Sequence, residues 1–256
     1  MNAPRTGPAE FDTSWLARHL EQERRQASLL SEIREAMFGA QDGLTSVLAI
    51  VSTVGGATGQ PFAVLVAGFA AMAAGMFSMA VGEYMSSKSQ REIFEAQIAS
   101  EAIEVDERPA EAEAEVAFML QREGLRPEAA RRVASELATS KPVLLKTMVE
   151  KELGLTVDDD ANVLRGALVM GVAYGLGALV PLLPYFFMNV HTAVYVSVGL
   201  AAVTLFAMGA VKSRWTGRGW LISGLEIFAL GAFAGIAGYF LGTLLPAALG
   251  VAGVSG

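Results

Sequence analysis

All nineteen Lys and Arg residues of this chain can be placed on one side of a membrane. Five long apolar stretches run over roughly 36–56, 62–85, 163–187, 192–211 and 219–245. Each has the ~20 residues that a helix needs to cross a hydrocarbon core about 30 Å thick. The basic residues fall in three segments: an N-terminal arm (Arg5, Arg18, Arg24, Arg25, Arg34), a central block from Lys88 to Arg165, and the turn with Lys212, Arg214 and Arg218. The connections near 55–61 and 184–191 and the tail after 245 have none. Alternate threading of five spans puts every basic segment on one face, which the positive-inside rule makes cytoplasmic.

This pattern predicts an all-α membrane protein with five transmembrane helices and an inserted soluble helical domain. The expected organisation is a cytoplasmic N-terminal arm at 1–35, spans one and two within 36–85, a cytoplasmic helical metal-binding domain at 86–162, spans three to five within 163–245, and a tail at 246–256. A soluble bundle does not need apolar helices of such length, and the short alternating segments of a membrane β-barrel are absent. No apolar signal-peptide core is visible in the charged first 35 residues. From about Thr13 that arm reads as an amphipathic helix with Trp15, Leu16 and Leu20 on one side.

Glycine and proline set the expected boundaries. Pro61 suits the first turn of span two, and Pro109, Pro127 and Pro142 suit helix starts. Gly124 and Gly154 suit helix ends. Nothing stops span two after Glu83, so it is expected to continue as one helix to about Glu107. Gly68, Gly75 and Gly82 let neighbouring backbones approach closely.

Of the 26 acids, 17 lie between Glu92 and Asp160, six lie in 1–35, and Asp42, Glu83 and Glu226 stand inside apolar spans. An acidic domain beside a membrane suggests a cationic partner. No basic, aromatic-rich stripe suggests nucleic acid. With no cysteine, metal has to be held by carboxylate, thioether, carbonyl, water or one of the two histidines, and His19 and His191 fall on opposite sides of the membrane. A carboxylate such as Asp42 costs roughly 2.5–3.5 kcal/mol at a helix centre, so it should face a polar path or partner. Met79 and Glu83 are four apart on one helix face. Oxygen ligands suit Fe²⁺ or Mn²⁺, and a thioether favours softer ions. Ordinary packing for Met79, and a headgroup-level position for Asp42 and Glu83, stand beside that reading. Glu226 reads equally as a proton carrier or a headgroup neighbour.

A second constellation comprises Glu101, Glu104, Glu107, Glu111, Glu113, Glu115, Met148, Glu150 and Glu152, of which Glu150 points away from the Met148–Glu152 face. Glu101 with Glu104, Glu111 with Glu115, and Met148 with Glu152 share helix faces, with Glu113 roughly opposite. Crowded carboxylates raise one another's pKa, and a divalent cation would relieve the crowding. The alternative is a solvated acidic face with pairs such as Glu104–Arg108 and Glu128–Arg132. Glu101, Glu111 and Glu115 have no cation four residues on. No phosphate loop, Glu-x-x-His pair or Ser-His-Asp set is present, so neither an ATP-driven pump nor an enzyme is expected, and no prosthetic group.

The segments Arg34-Glu35-Ala36-Met37-Phe38-Gly39-Ala40-Gln41-Asp42-Gly43-Leu44-Thr45-Ser46 and Ala74-Gly75-Met76-Phe77-Ser78-Met79-Ala80-Val81-Gly82-Glu83-Tyr84-Met85-Ser86 resemble the signatures of the vacuolar iron transporters and their bacterial relatives. The resemblance covers about 34–245 and implies a homodimer in the lipid bilayer that moves Fe²⁺ out of the cytoplasm in exchange for H⁺. It implies a bacterial-type member with a cytoplasmic metal-binding domain, in the inner membrane if the chain is bacterial. Asp42 and Met79 resemble translocation ligands. Glu101, Glu104, Glu115, Met148 and Glu152 resemble ligands of the soluble domain. Val149 and Ala112 stand where a methionine and a carboxylate are expected, and Ala71 replaces an acid found in some relatives. A manganese exporter on the same scaffold, or a membrane-anchored metal sensor or buffer, are the alternatives.

Overall fold

The computed structural model describes residues 12–154, 163–229 and 231–233, and among these every regular element is helical. Helix α1 covers Thr13–Thr58 and α2 covers Pro61–Glu107. Three short helices follow: α3 (Pro109–Arg122), α4 (Pro127–Ala138) and α5 (Lys141–Met148), the last continued by a π turn over Val149–Leu153. Then come α6 (Val163–Leu182), a 3₁₀ turn at Leu183–Phe186, and α7 (Val190–Thr216). Helix α8 runs over Trp220–Phe233, residue 230 excepted.

Among the described residues four helices are long and apolar enough to cross a membrane: α1, α2, α6 with its 3₁₀ extension, and α7. The expected fifth span begins with α8, and its remainder to residue 245 lies outside the described residues, as do residues 1–11 and the acidic run at 158–160. Span one does not begin afresh at Ala36. Asp12 caps the N-terminus by accepting from the Ser14 amide at 3.0 Å, and the helix runs unbroken for 46 residues, about 70 Å at 1.5 Å per residue. No glycine or proline separates the charged arm from the apolar stretch, so nothing ends the helix between them. Gly59, at φ +63°, closes α1 and Pro61 opens α2, which continues to Glu107 as the sequence predicts.

The chain divides into two compact units, Met1–Tyr84 with Leu164–Gly256, and Met85–Val163, with α2 belonging to both. In the larger, a core of Val47, Val51, Val64, Tyr174, Ala178 and Leu182 joins α1, α2 and α6. Glycines bring the backbones together: a Cβ on Gly43 would lie 2.0 Å from the Tyr174 carbonyl oxygen, and one on Gly177 2.1 Å from that of Ala40. Pro181 sits inside α6, and Pro184, three residues on, has no N–H to offer its carbonyl in the 3₁₀ turn. The Ser197 hydroxyl of α7 donates to that carbonyl at 2.7 Å instead, which satisfies a polar group where no water is at hand.

The smaller unit packs α3, α4 and α5 around Val105, Ala112, Val116, Leu120, Ala130, Ala134, Leu144 and Met148. Proline stands in the first turn of all three helices, and Gly124 and Gly154 adopt positive φ just beyond α3 and the π turn.

Candidate metal sites

The corner between α2 and α3 gathers the first set of acids. One carboxylate oxygen from each of Glu104, Glu111 and Glu115 lies within 4.8 Å of the others. Arg108, the residue before Pro109, stands at that corner. Its guanidinium donates to Glu104 at 3.1 Å and to Glu111 at 2.9 Å. Glu111 therefore has its cation three residues before it rather than four after it. Burial, then the charges of Glu152 and Glu104, push the Glu101 carboxyl above the usual glutamate range. Burial, followed by Glu104, Glu152, Glu111 and Glu101, does the same to Glu115. Five acids from α2, α3 and the π turn thus share one electrostatic neighbourhood. Glu107 is exposed and Glu113 half-buried, and neither contributes to these shifts.

Met148 is fully buried in the unit's apolar core. Ala112 and Val149, at the two positions that depart from the resemblance, are also fully buried. A carboxylate at 112 would be desolvated among Val105, Val116 and Met148, so the acids on α3 that reach solvent are the flanking ones. Lys151 holds Glu123 at 2.7 Å and Lys141 pairs with Asp106, which ties the π turn and α5 to their neighbours.

In the larger unit Asp42 is half-buried on α1 and accepts from the Ser46 hydroxyl at 3.2 Å. Tyr174, 4 % exposed, shares a hydrogen bond with Ser46 and feels the Asp42 charge. A Cβ on Gly75 of α2 would lie 2.1 Å from its ring. Met79 packs against the same core cluster as Tyr174. Glu83 lies one turn beyond Met79 on α2, and its charge acts on Glu35 of α1.

Glu35 is the residue that sequence reasoning left out of the site, although it stands in the first signature. It is 9 % exposed; Oε1 receives the Ser31 hydroxyl at 3.3 Å, while Oε2 is buried without a hydrogen-bond partner. Gly166 of α6 lies against it, with space for no Cβ (2.8 Å to Oε2). The available signal was an acid immediately before an apolar span, seven residues and so about 10 Å along the helix from Asp42. Tyr174 was likewise not singled out; Arg108 was expected only as the partner of Glu104, a pair the structure contains at 3.1 Å, and its second contact, to Glu111, was not foreseen. Glu226 pairs with Arg218 at 3.4 Å. His19 stacks on Trp15 and lies 3.3 Å from Glu23, and His191 is exposed.

An all-helical chain with several membrane-crossing helices and acids inside its apolar unit defines a multi-pass membrane protein. The model of the VIT family matches residues 33–243. Vacuolar iron transporter 1 of Oryza sativa subsp. japonica is 33% identical over 208 residues, covering 81% of this chain and 82% of the relative. Vacuolar iron transporter 1 of Arabidopsis thaliana is 33% identical over 210 residues (82% and 84%). The vacuolar iron transporter of Plasmodium falciparum is 28% identical over 223 residues (83% and 82%). The chain belongs to the VIT family, whose members are transporters and not enzymes.

Proposed function

We propose that this protein moves Fe²⁺ out of the cytoplasm in exchange for H⁺, as a homodimer with five spans per subunit. The observation that carries this reading is a carboxylate, Asp42, kept inside an apolar helical unit beside Ser46 and Tyr174, with Met79 packed against the same cluster. A charge there is costly unless it has a task. The acids around Arg108 capture the ion at the cytoplasmic face. Glu35 and Glu83, then Asp42 and Met79, receive it within the membrane unit. Carboxylates bind metal only when deprotonated, so metal and protons compete at each stage. On the more acidic side, protonation releases the ion and the protonated carrier returns.

Arg108 and the ion compete for the same oxygens. Replacing Glu104, Glu111 and Glu115 together with glutamine is expected to lower metal affinity of the purified protein by at least about 100-fold, since charged ligands supply most of the affinity for hard cations. Titration calorimetry measures this, and unchanged binding would remove the cluster from the path. Arg108→Gln is expected to raise affinity, because a bound competitor is lost.

The pH dependence follows from the raised pKa of Glu101 and Glu115. Both hold protons to higher pH than an ordinary glutamate, so metal binding should weaken as pH falls, beginning above the usual glutamate range. Without metal the sign is opposite. The folded state binds these protons more tightly than the unfolded chain, so lowering the pH through the raised pKa values adds stability. Thermal unfolding with and without metal across that window tests both directions; a metal-free protein that loses stability there contradicts the placement. Mn²⁺ is the second substrate reading, as oxygen ligands barely separate it from Fe²⁺. Growth rescue under each metal stress discriminates the two.

A further inference from the structure

The larger unit holds a cavity that metal transport leaves unused. It is a groove of about 460 Å³ between α1, α6 and α7, within the ~300–1,000 Å³ range of small-molecule sites. Its walls include Met37 and Ala40 of α1, Leu176 of α6, and Ala207, Val211 and Trp215 of α7. Leu176, Ala207, Val211 and Trp215 are exposed. The hydroxyl of Thr204, on the same wall, already donates to the Leu200 carbonyl at 2.8 Å. The groove therefore offers hydrocarbon contact and has little to offer a hydrated cation.

Its α7 wall leads to a charged end. Thr204, Ala207, Met208, Val211 and Trp215 recur at three- and four-residue spacing along one face, and the helix stops at Thr216. Lys212 and Arg214 precede Trp215 there by three residues and one. Among the described residues neither has a carboxylate within ion-pair distance, whereas Arg218, in the following turn, has Glu226 at 3.4 Å. The turn lies between the C-terminus of α7 and the start of α8, so the two helix dipoles oppose one another and the cations decide the local potential. A tryptophan beside basic residues is the usual composition of a membrane–water boundary.

We propose that this groove holds an acyl chain of an anionic phospholipid of the cytoplasmic leaflet, with its headgroup on Lys212 and Arg214. Two cations without an ion-pair partner among the described residues supply the charge complementarity, and an apolar channel reaching the same end supplies the seat for the chain. The proposal rests on the cytoplasmic placement of the 212–218 turn but not on transport. Anionic lipid is enriched in that leaflet, and basic pockets between spans recognise such headgroups.

The test uses the full chain purified in mild detergent and supplied with phosphatidylglycerol or phosphatidylcholine of identical acyl chains. Native mass spectrometry counts bound lipid and thermal unfolding reports its effect. The expected result is one phosphatidylglycerol retained per chain, with a higher Tm than in phosphatidylcholine. Lys212→Gln with Arg214→Gln should lower the preference for phosphatidylglycerol roughly tenfold. Arg214 is exposed and Lys212 half-buried at the end of α7, and glutamine keeps the aliphatic stem of each, so the fold should stay in place. Ala207→Trp, which fills the groove, should abolish retention of both lipids. Equal retention of the two lipids overturns the proposal, as does retention that survives either variant. A change of oligomeric mass in Ala207→Trp without loss of lipid also overturns it, and makes the groove a seat for a second copy.

Discussion

Replacing Asp42 with alanine is expected to reduce metal flux through the reconstituted protein to background while leaving the fold intact. Asp42 lies within the span, and among the described residues the hydrogen bond to its carboxylate comes from a hydroxyl in the next turn, Ser46. A neutral side chain loses the charge that a divalent ion requires but removes no buried ion pair. It also relieves the roughly 2.5–3.5 kcal/mol penalty of an intramembrane carboxylate, so the variant should unfold at the same temperature or higher. Activity and stability thus move in different directions, which separates a ligand from a structural residue. Asp42→Asn is the stricter form, since it keeps size and the Ser46 contact. Met79→Ala should have a smaller effect, because a neutral thioether contributes less than a carboxylate to a hard cation. Normal uptake by Asp42→Asn would exclude Asp42 as a ligand.

The second large effect is on folding. Gly43→Ala and Gly177→Ala are each expected to destabilise the protein by about 3 kcal/mol or more, the upper end of overpacking costs. In both cases the new methyl meets a backbone carbonyl, 2.0 Å away at Gly43 and 2.1 Å at Gly177, and a backbone cannot turn aside as a side chain does. Helices α1 and α6 would have to part, and the seat of Tyr174 would be lost. Glycine in a helix costs about 1 kcal/mol relative to alanine, so close approach is what these positions gain in return. Gly82→Ala is the control: nothing lies within 4 Å of its Cβ position, and that variant should be as stable as the wild type or slightly more. The midpoint of thermal unfolding, with the recovered fraction of monodisperse protein, reads all three. A Gly43→Ala protein indistinguishable from wild type would contradict the α1–α6 packing.

Much of this architecture is legible locally. Pro61, Pro109 and Pro127 open helices, and Gly59, Gly124 and Gly154 lie just past helix or π-turn ends at positive φ, because these residue types restrict or free the backbone on their own. The long reach of α2 was readable from the lack of any breaker. The joining of the charged arm to span one was obscured by composition, which changes at Ala36 while helix propensity does not. At the sites, spacing identified which acids share a face but not what lies across from them. Arg108 reaches back to Glu104 and forward to Glu111, a bridge that depends on the α2–α3 corner. Met148 shares a face with Glu152 by spacing, yet its burial in the core is set by α3 and α4. Glu35 becomes notable only when Gly166 of α6, 131 residues away in the chain, is found against it.

The most direct test places the purified protein in liposomes with a pH-sensitive dye inside. Fe²⁺ is added outside under an imposed pH gradient, and metal and proton movements are followed together. Exchange predicts that metal enters as protons leave, that dissipating the gradient slows both, and that Asp42→Asn stops both. Metal binding without flux of Fe²⁺ or Mn²⁺, or metal entry without opposite proton movement, would contradict it; the former would mark the protein as a membrane-anchored metal buffer.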